Sequence, residues 1–321
     1  MATLIWIIDE EWPDYNDELE LLQQSLPEAV IRYSSYDYQA DLAAFGYRAD
    51  IILAQIYADI PADVIARLEK CKGIAVYGGG YDRVDIKAAR AKGISVTNVN
   101  GYCVEDIAEY VLAAIFHGAK QLTQYRTAIE NSKWGAQAVA TPVHRLNGQT
   151  LFIAGCGRIG RFTGQKAKAL GMRIIAYDPF VDKQTMAAAG IEKVSLAEGF
   201  RAADFVSVHI KCDKTTENLL NGKYFSLMKP TAYLINTSRG RVLNEPDLIA
   251  AIKNKQLAGA ILDVITQEPP RGSEDIFHVP GILITPHISY ISEESYTELK
   301  QRAVANALAM LDGQQPADLV N

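Results

Sequence analysis

Residues 150–160 read Thr-Leu-Phe-Ile-Ala-Gly-Cys-Gly-Arg-Ile-Gly, and this segment carries the clearest signal of the fold. An apolar run, Thr150–Ala154, predicts a buried strand, and residues 161–170 have the spacing of a helix. A further apolar run, Arg173–Tyr177, follows that helix. The order strand, glycine turn, helix and strand is that of a βαβ unit, which builds parallel sheets.

Three glycines of the segment fit the pattern G-x-G-x-x-G, which is informative when a strand precedes it and a helix follows. Gly155 permits a tight turn, Gly157 lets the backbone approach a pyrophosphate, and Gly160 lets the helix pack closely on its strand. Amides near Arg158 and Ile159 then lie at the positive end of a helix, where phosphate binds. The segment therefore predicts a dinucleotide site.

Asp178 follows the second strand and lies 18 residues after Gly160, near the spacing of the carboxylate that binds the adenosine ribose. Its charge would repel a 2′-phosphate, and Pro179 and Phe180 stand where an arginine would be needed to bind one. We therefore predict NAD, and not NADP, as the cofactor. The alternative is a glycine turn that binds no ligand.

Short apolar runs alternate with helical patterns along most of the chain, in two sets. The first set is Leu4–Ile8, Val30–Tyr33, Ile51–Ala54, Ile74–Tyr77 and Ile94–Val99. The second set is Thr150–Ala154, Arg173–Tyr177, Phe205–Ile210, Ala232–Thr237, Ala258–Val264 and Gly281–Thr285. This alternation predicts an α/β fold with two doubly wound, Rossmann-like domains, each built on a parallel sheet, and a cleft between them.

The alternation is interrupted by two stretches that we interpret as domain connectors. Residues 104–131 have the pattern of one long helix, and Glu293–Leu311 that of another, after the last strand. We therefore expect a discontinuous substrate-binding domain made of residues 1–100 and 289–321. The NAD-binding Rossmann domain would comprise residues 101–288.

The bulk properties exclude several classes of partner. A net charge of −6 and the lack of a Lys/Arg cluster argue against nucleic acid. No apolar run approaches the roughly 18 residues of a membrane span, and the first residues lack the basic region of a signal peptide. Isolated cysteines without metal-ligand spacing predict no metal and a cytoplasmic location; they are Cys71, Cys103, Cys156 and Cys212.

Three titratable residues follow strands of the second set, and they are Arg239, Glu268 and His287. Because ligands of an open parallel sheet bind beyond the carboxyl ends of its strands, we expect all three at one edge. The arginine could bind a carboxylate and polarise a carbonyl, and the histidine could donate a proton to the developing alkoxide. The glutamate could hydrogen-bond the second imidazole nitrogen. Singly, each could instead be a surface salt bridge, a solvated acid or a local hydrogen-bonding group.

These motifs resemble those of the D-isomer-specific 2-hydroxyacid dehydrogenases over nearly the whole chain. The quoted matches are residues 77–82 (YGGGYD), 155–160 (GCGRIG), 228–230 (MKP), 236–240 (NTSRG), Asp263-Val264 with Glu268-Pro269, and 285–287 (TPH). The resemblance implies a catalytic Arg239, Glu268 and His287, and substrate carboxylate binding by amides of the glycine loop. Further implied cofactor and substrate residues are His209, Ile210, Thr237, Ser238, Asp263, Gly79 and Gly80. It also implies a homodimer through the NAD-binding domain.

Some residues depart from the family pattern. Phe152 replaces a common glycine, which indicates altered core packing, and Tyr290 follows His287 where small residues are usual. Tyr290, with Tyr102 and Trp134, is a candidate for the substrate pocket, although core packing would also explain these aromatic residues.

The resulting hypothesis is an NAD-dependent oxidoreductase that interconverts a small D-2-hydroxy acid and its 2-oxo acid. The alternative is an NAD(H)-sensing interaction protein that resembles the C-terminal-binding corepressors, because those proteins retain the same three catalytic residue types. A dehydrogenase of formate or phosphite would need different pocket residues. The identity of the 2-hydroxy acid does not follow from the sequence.

Overall fold

A computed structural model describes residues 2–321. The chain divides into two compact units. Unit 1 contains the chain up to Tyr102 together with Ser292–Asn321, and unit 2 contains Cys103–Ile291. Within residues 2–321, no helix is both long enough and apolar enough to cross a membrane.

Unit 1 is built on a parallel sheet of five strands in the order β2-β1-β3-β4-β5. The strands are β1 (Leu4–Ile8), β2 (Val30–Ser34), β3 (Ile51–Gln55), β4 (Gly73–Tyr77) and β5 (Ser95–Thr97). The helices that alternate with them are α1 (Asn16–Ser25), α2 (Gln39–Ala44), α3 (Ala62–Arg67) and α4 (Ile86–Ala91). Strands β1, β3 and β4 carry almost continuous buried apolar runs, as expected of strands covered on both faces.

Unit 2 is built on a parallel sheet of seven strands in the order β12-β11-β10-β9-β6-β7-β8. The strands are β6 (Thr150–Ala154), β7 (Arg173–Tyr177), β8 (Glu192–Lys193), β9 (Phe205–Val208), β10 (Tyr233–Asn236), β11 (Gly259–Leu262) and β12 (Ile282–Ile284). The helices are α5 (Val104–Lys120), α6 (Leu122–Glu130), α7 (Arg158–Ala169), α8 (Lys183–Ala188), α9 (Leu196–Ala202), α10 (Gly222–Phe225) and α11 (Glu245–Lys253). The strand order reverses between β6 and β9, which is the switch point where doubly wound sheets bind nucleotides.

The predicted fold class is confirmed, since both units are α/β and both sheets are parallel. The last helix along the chain is a long one in unit 1, α12 (Glu293–Leu311), which has the predicted bounds. Ser292 caps the start of this helix: its hydroxyl accepts a hydrogen bond from the amide of Ser295, and the two residues form a capping box.

The single long helix predicted for residues 104–131 is wrong. Helix α5 ends at Lys120, Gln121 has a left-handed backbone (φ 54°, ψ 36°), and α6 begins at the next residue. One left-handed residue interrupts the i to i−4 hydrogen bonds of a helix. Glycine or asparagine usually takes this conformation, so a glutamine gave no signal of the break.

Phe152 lies on β6 in the core of unit 2 and is fully buried. Gly199 on α9 leaves space for its ring, because a Cβ atom there would lie 2.2 Å from Cε2 of Phe152. The ring also meets Phe200 edge-on, with 5.5 Å between ring centroids. A large side chain on the strand is therefore matched by the absence of one on the facing helix.

We predict that Gly199→Ala lowers the free energy of unfolding by about 1–3 kcal/mol, because the methyl group overlaps the Phe152 ring. Inside a helix, exchange of glycine for alanine usually has the opposite effect and raises the free energy of unfolding by up to about 1 kcal/mol. Urea unfolding of Gly199→Ala in the native and Phe152→Leu backgrounds checks the cause. An equal loss in both backgrounds would show that Phe152 is not responsible.

Candidate active site

Three neighbouring strands of unit 2 end in register. Asn236 at the end of β10 pairs with Leu262 at the end of β11, and Leu262 pairs with Ile284 at the end of β12. Since the strands are parallel, the loops that follow them leave the sheet at the same edge. These loops carry Arg239, Glu268 and His287, the three residues predicted to be catalytic.

Glu268 and His287 form a direct pair, as the sequence predicted. Nδ1 of the imidazole lies 3.1 Å from Oε2 of the carboxylate, and the two side chains are only 10% and 12% exposed. The other carboxylate oxygen, Oε1, accepts a hydrogen bond from the backbone N–H of Ile265 (3.0 Å). The carboxylate is thus held at both oxygens and fixes the orientation of the ring, so Nε2 is the nitrogen that can act on a substrate.

Asp263 determines the backbone of the histidine loop. His287 has a left-handed backbone (φ 56°), and its N–H donates to the carbonyl oxygen of Asp263 (2.8 Å). The carboxylate of Asp263 accepts the N–H groups of Ile288 (2.9 Å) and Ser289 (2.8 Å). Asp263 is 1% exposed, so these contacts form in a site shielded from water. The family resemblance implies that Asp263 is a cofactor residue, and these hydrogen bonds show that it also orders the loop that carries His287.

Arg239 follows β10 in a tight turn that is organised by Asn236. The side-chain amide of Asn236 donates to the carbonyl oxygen of Arg239 (3.0 Å), and its Oδ1 accepts the N–H and the hydroxyl of Ser238. The guanidinium donates to the carbonyl oxygen of Ser238 (2.8 Å). The half-buried arginine is therefore supported by its own turn.

Gly240 brings this turn against the loop that carries Glu268. A Cβ atom at Gly240 would lie 1.9 Å from the carbonyl carbon of Ile265, so no other residue fits without a backbone shift. Ile265 is the residue whose N–H binds the carboxylate of Glu268. The arginine turn and the Glu268–His287 pair therefore belong to one packed edge.

The glycine turn after β6 has the geometry of a dinucleotide-binding loop. Gly155 is left-handed (φ 100°), and a Cβ atom there would lie 2.6 Å from the carbonyl oxygen of His209. A Cβ atom at Gly160 would lie 2.3 Å from the carbonyl oxygen of Gly155. At Gly157 a Cβ atom would meet no described atom within 4 Å. The outer glycines are thus required by packing, and the middle one leaves room for a ligand above the start of α7.

Asp178 lies beside this turn, at the end of β7. Its Oδ2 accepts the N–H of Cys156 (2.9 Å), and its Oδ1 accepts those of Phe180 (2.8 Å) and Val181 (3.2 Å). The carboxylate is half-buried, so part of it reaches solvent at the edge of the sheet. This position suits recognition of a ribose next to a phosphate-binding turn.

Two further predicted cofactor residues also fit. Oγ1 of Thr237 is buried and has no hydrogen-bond partner among residues 2–321, as expected of a group that a ligand would satisfy. His209 follows β9 across the switch point, and its Nε2 lies 2.9 Å from the hydroxyl of Ser207. Burial lowers the pKa of His209 to about 4, so its ring is neutral at physiological pH.

We predict that His209 makes the chain less stable as the pH falls from about 6.5 towards 4. In this window the unfolded chain binds a proton on His209 that the folded chain does not bind. His209→Gln removes this pH dependence. The free energy of unfolding of the variant minus that of the wild type should therefore increase by about 1–3 kcal/mol when the pH is lowered from 7 to 4.5. Denaturant unfolding at several pH values measures it. The exposed His144→Gln is the control, and a constant difference for His209→Gln would contradict the prediction.

Three predicted substrate residues lie in unit 1, and a fourth lies beside the Glu268–His287 pair in unit 2. Gly79, which is exposed, and Gly80 follow β4, and the side-chain amide of Asn98 donates to the carbonyl oxygen of Gly79 (2.8 Å). Tyr102 is the last residue of unit 1 before the chain enters unit 2. In unit 2, the Tyr290 ring lies edge-on to His287 with 6.4 Å between centroids.

The sequence did not reveal three residues that support the site. Asn236 stood in a quoted motif, but nothing indicated that it orders the arginine turn. Thr285 donates its hydroxyl hydrogen to Oδ1 of Asp263 (2.6 Å), and Tyr110 on α5 contacts the Thr285 hydroxyl (2.5 Å). No local pattern identifies Tyr110, because its partner is far away in the sequence.

Comparison with known proteins identifies the family of this chain. A family model described as D-isomer specific 2-hydroxyacid dehydrogenase, NAD binding domain, matches residues 112–289. The chain belongs to this dehydrogenase family. Its cofactor is NAD, and it is an oxidoreductase of 2-hydroxy acids.

Relatives of this dehydrogenase include several named enzymes. A glyoxylate reductase from Korarchaeum cryptofilum is 32% identical over 276 residues, which cover 85% of this chain and 82% of the relative. An (S)-sulfolactate dehydrogenase from Chromohalobacter salexigens is 31% identical over 84% of this chain and 87% of its own. A D-lactate dehydrogenase from Aquifex aeolicus, solved with NAD and lactic acid, has the same fold, with a TM-score of 0.88, 24% identity and 99% coverage of both chains.

Proposed function

We propose that this dehydrogenase interconverts a small D-2-hydroxy acid and its 2-oxo acid, with Arg239, Glu268 and His287 as the catalytic residues. The observation that carries the proposal is the buried Glu268–His287 pair (3.1 Å) on the sheet edge that also bears the arginine turn. Bound NAD supplies or accepts the hydride.

Arg239, His287 and Glu268 have different roles in substrate binding and proton transfer. The planar guanidinium of Arg239 binds the substrate carboxylate and polarises the adjacent carbonyl or hydroxyl oxygen. His287 gives a proton to that oxygen during reduction and removes it during oxidation, through Nε2. Glu268 holds the ring at Nδ1 and stabilises the imidazolium form, in which Nε2 carries the proton that is exchanged with the substrate.

The residues at the switch point hold the cofactor. The amides of the glycine turn and of the first turn of α7 bind the pyrophosphate, and Asp178 binds the hydroxyls of the adenosine ribose. The orphaned Thr237 hydroxyl and the open space above Gly157 support this assignment. The full set is Gly155, Gly157, Arg158, Ile159, Gly160, Asp178, His209, Ile210, Thr237, Ser238 and Asp263.

Unit 1 is proposed as the substrate-binding domain and unit 2 as the NAD-binding domain. Backbone N–H groups of Gly79 and Gly80 bind the substrate carboxylate, because glycines leave the amides accessible to an anion. Tyr102 and Tyr290 contact the remainder of the substrate. Small 2-oxo acids such as glyoxylate, the substrate named for one relative, are the first candidates.

NADH oxidation with a panel of 2-oxo acids tests this function. Arg239→Ala should lower kcat/KM by about 100-fold or more, because it removes a charged contact to the reacting oxygen. Arg241→Ala, two residues further on, is the matched control and should retain turnover. Full activity of Arg239→Ala would refute the role of Arg239.

His287→Ala completes this test by separating catalysis from binding. It should abolish reduction while NADH still binds, as measured by NADH fluorescence. Loss of NADH binding would make His287 a structural residue. Tight NADH binding by the wild type without turnover of any 2-oxo acid would instead support an NAD(H)-sensing interaction protein.

We also propose a homodimer that forms through unit 2. Apolar side chains are exposed on α5, α6 and the segment that follows them, and Trp134 is 79% exposed. We call this set of exposed apolar side chains the α6 patch; it comprises Phe116, Leu122, Ile129, Trp134, Val139 and Val143. An apolar surface of this kind is typical of a protein interface. A cytoplasmic location is proposed as well, because all four cysteines are free thiols.

Trp134→Glu should convert the dimer to a monomer, since it places a charge in the α6 patch. Light scattering after size-exclusion chromatography measures the mass. Phe180→Glu is the control, because Phe180 is 94% exposed in unit 2 outside the patch, and it should remain dimeric. A dimeric Trp134→Glu would show that the α6 patch is not the interface.

A further inference from the structure

Tyr110 begins a chain of hydrogen bonds that ends at the histidine loop. Its hydroxyl lies 2.5 Å from Oγ1 of Thr285, and that hydroxyl lies 2.6 Å from Oδ1 of Asp263. The carboxylate also binds the N–H groups of Ile288 and Ser289. All of these residues belong to unit 2, and the tyrosine comes from α5, far from the sheet edge in sequence.

The direction of these hydrogen bonds follows from their chemistry. Both carboxylate oxygens of Asp263 accept backbone N–H groups, and Oδ1 also accepts from Thr285, so the single hydroxyl hydrogen of Thr285 points to Asp263. The contact between Tyr110 and Thr285 must then use the tyrosine hydrogen. Burial raises the pKa of Tyr110, which keeps this hydrogen in place. Tyr110 therefore donates to Thr285, and Thr285 donates to Asp263.

These hydrogen bonds also hold the backbone of His287 in its left-handed conformation. A non-glycine residue in the left-handed region persists only where its surroundings hold it in place. The N–H of His287 donates to the carbonyl oxygen of Asp263, and the side chain of Asp263 holds Thr285 on one side of His287 and Ile288 on the other. Any rotation of the Thr285 hydroxyl loosens one of these contacts.

We propose that Tyr110 is a positioning residue, which holds the Thr285 hydroxyl towards Asp263 and thereby keeps His287 in its catalytic orientation. Tyr110 acts through Thr285 and does not itself contact the substrate. This inference rests on the proposed role of His287 as the proton donor.

Tyr110→Phe tests the proposal with the best 2-oxo acid substrate of the wild type. The loss of one hydrogen bond should lower kcat about 3- to 10-fold, with the KM values for NADH and the 2-oxo acid changed less than about 2-fold. Tyr224→Phe removes a half-buried tyrosine hydroxyl elsewhere in unit 2 and is the matched control. A kcat of Tyr110→Phe within 2-fold of the wild type would overturn the proposal.

The double variant distinguishes positioning from a general packing effect. If Tyr110 acts through Thr285, adding Tyr110→Phe to Thr285→Val should cause no further loss of kcat. Thr285→Ser retains the hydroxyl and should restore most of the activity that Thr285→Val loses. Additive losses in the double variant would overturn the proposal. If the wild type turns over no 2-oxo acid, the proposed function fails first, and that outcome is distinct from an unaffected Tyr110→Phe.

Discussion

The left-handed backbone of His287 is the constraint on which the sheet edge with the Glu268–His287 pair depends. This conformation is uncommon in a residue with a side chain, and here it is stabilised by contacts with residues that follow the neighbouring strand β11. The N–H of His287 and those of the two residues that follow it all bind Asp263, and the ring binds Glu268. Both acids belong to the loop after β11. The orientation of the imidazole is therefore set by the neighbouring strand, through the register of β11 with β12.

The same edge is assembled by close backbone contacts. Gly240 packs directly on Ile265, and Gly155 packs directly on His209, with no space for a side chain at either glycine. The first contact joins the arginine turn to the Glu268 loop. The second joins the dinucleotide turn to the end of β9 at the switch point. Close packing of this kind transmits small displacements, because there is little free volume to absorb them. The dinucleotide turn and the Glu268–His287 pair are thus connected through one sheet.

Several features were predictable because they depend on local patterns. Apolar runs in alternation with helical segments predicted two parallel sheets, and a glycine turn followed by Asp178 predicted NAD. The contact between Glu268 and His287 was also predictable, because parallel strands present their carboxyl ends at one edge. The break at Gln121 was not predictable, because a glutamine gives no signal of a left-handed residue. The fit of Phe152 against Gly199 was not predictable either, because the two residues are distant in sequence.

The sequence alone therefore determined the fold class, the cofactor and the residue types that can perform the chemistry. These properties follow from periodicity and from the spacing of glycine and charged residues, which are local. Only the tertiary structure decided how the histidine is held, because Tyr110 lies on α5, and Thr285 and Asp263 lie in the loops after β12 and β11. Hydrogen-bond direction requires atomic positions, and those exist only after the helix and the strands have packed together.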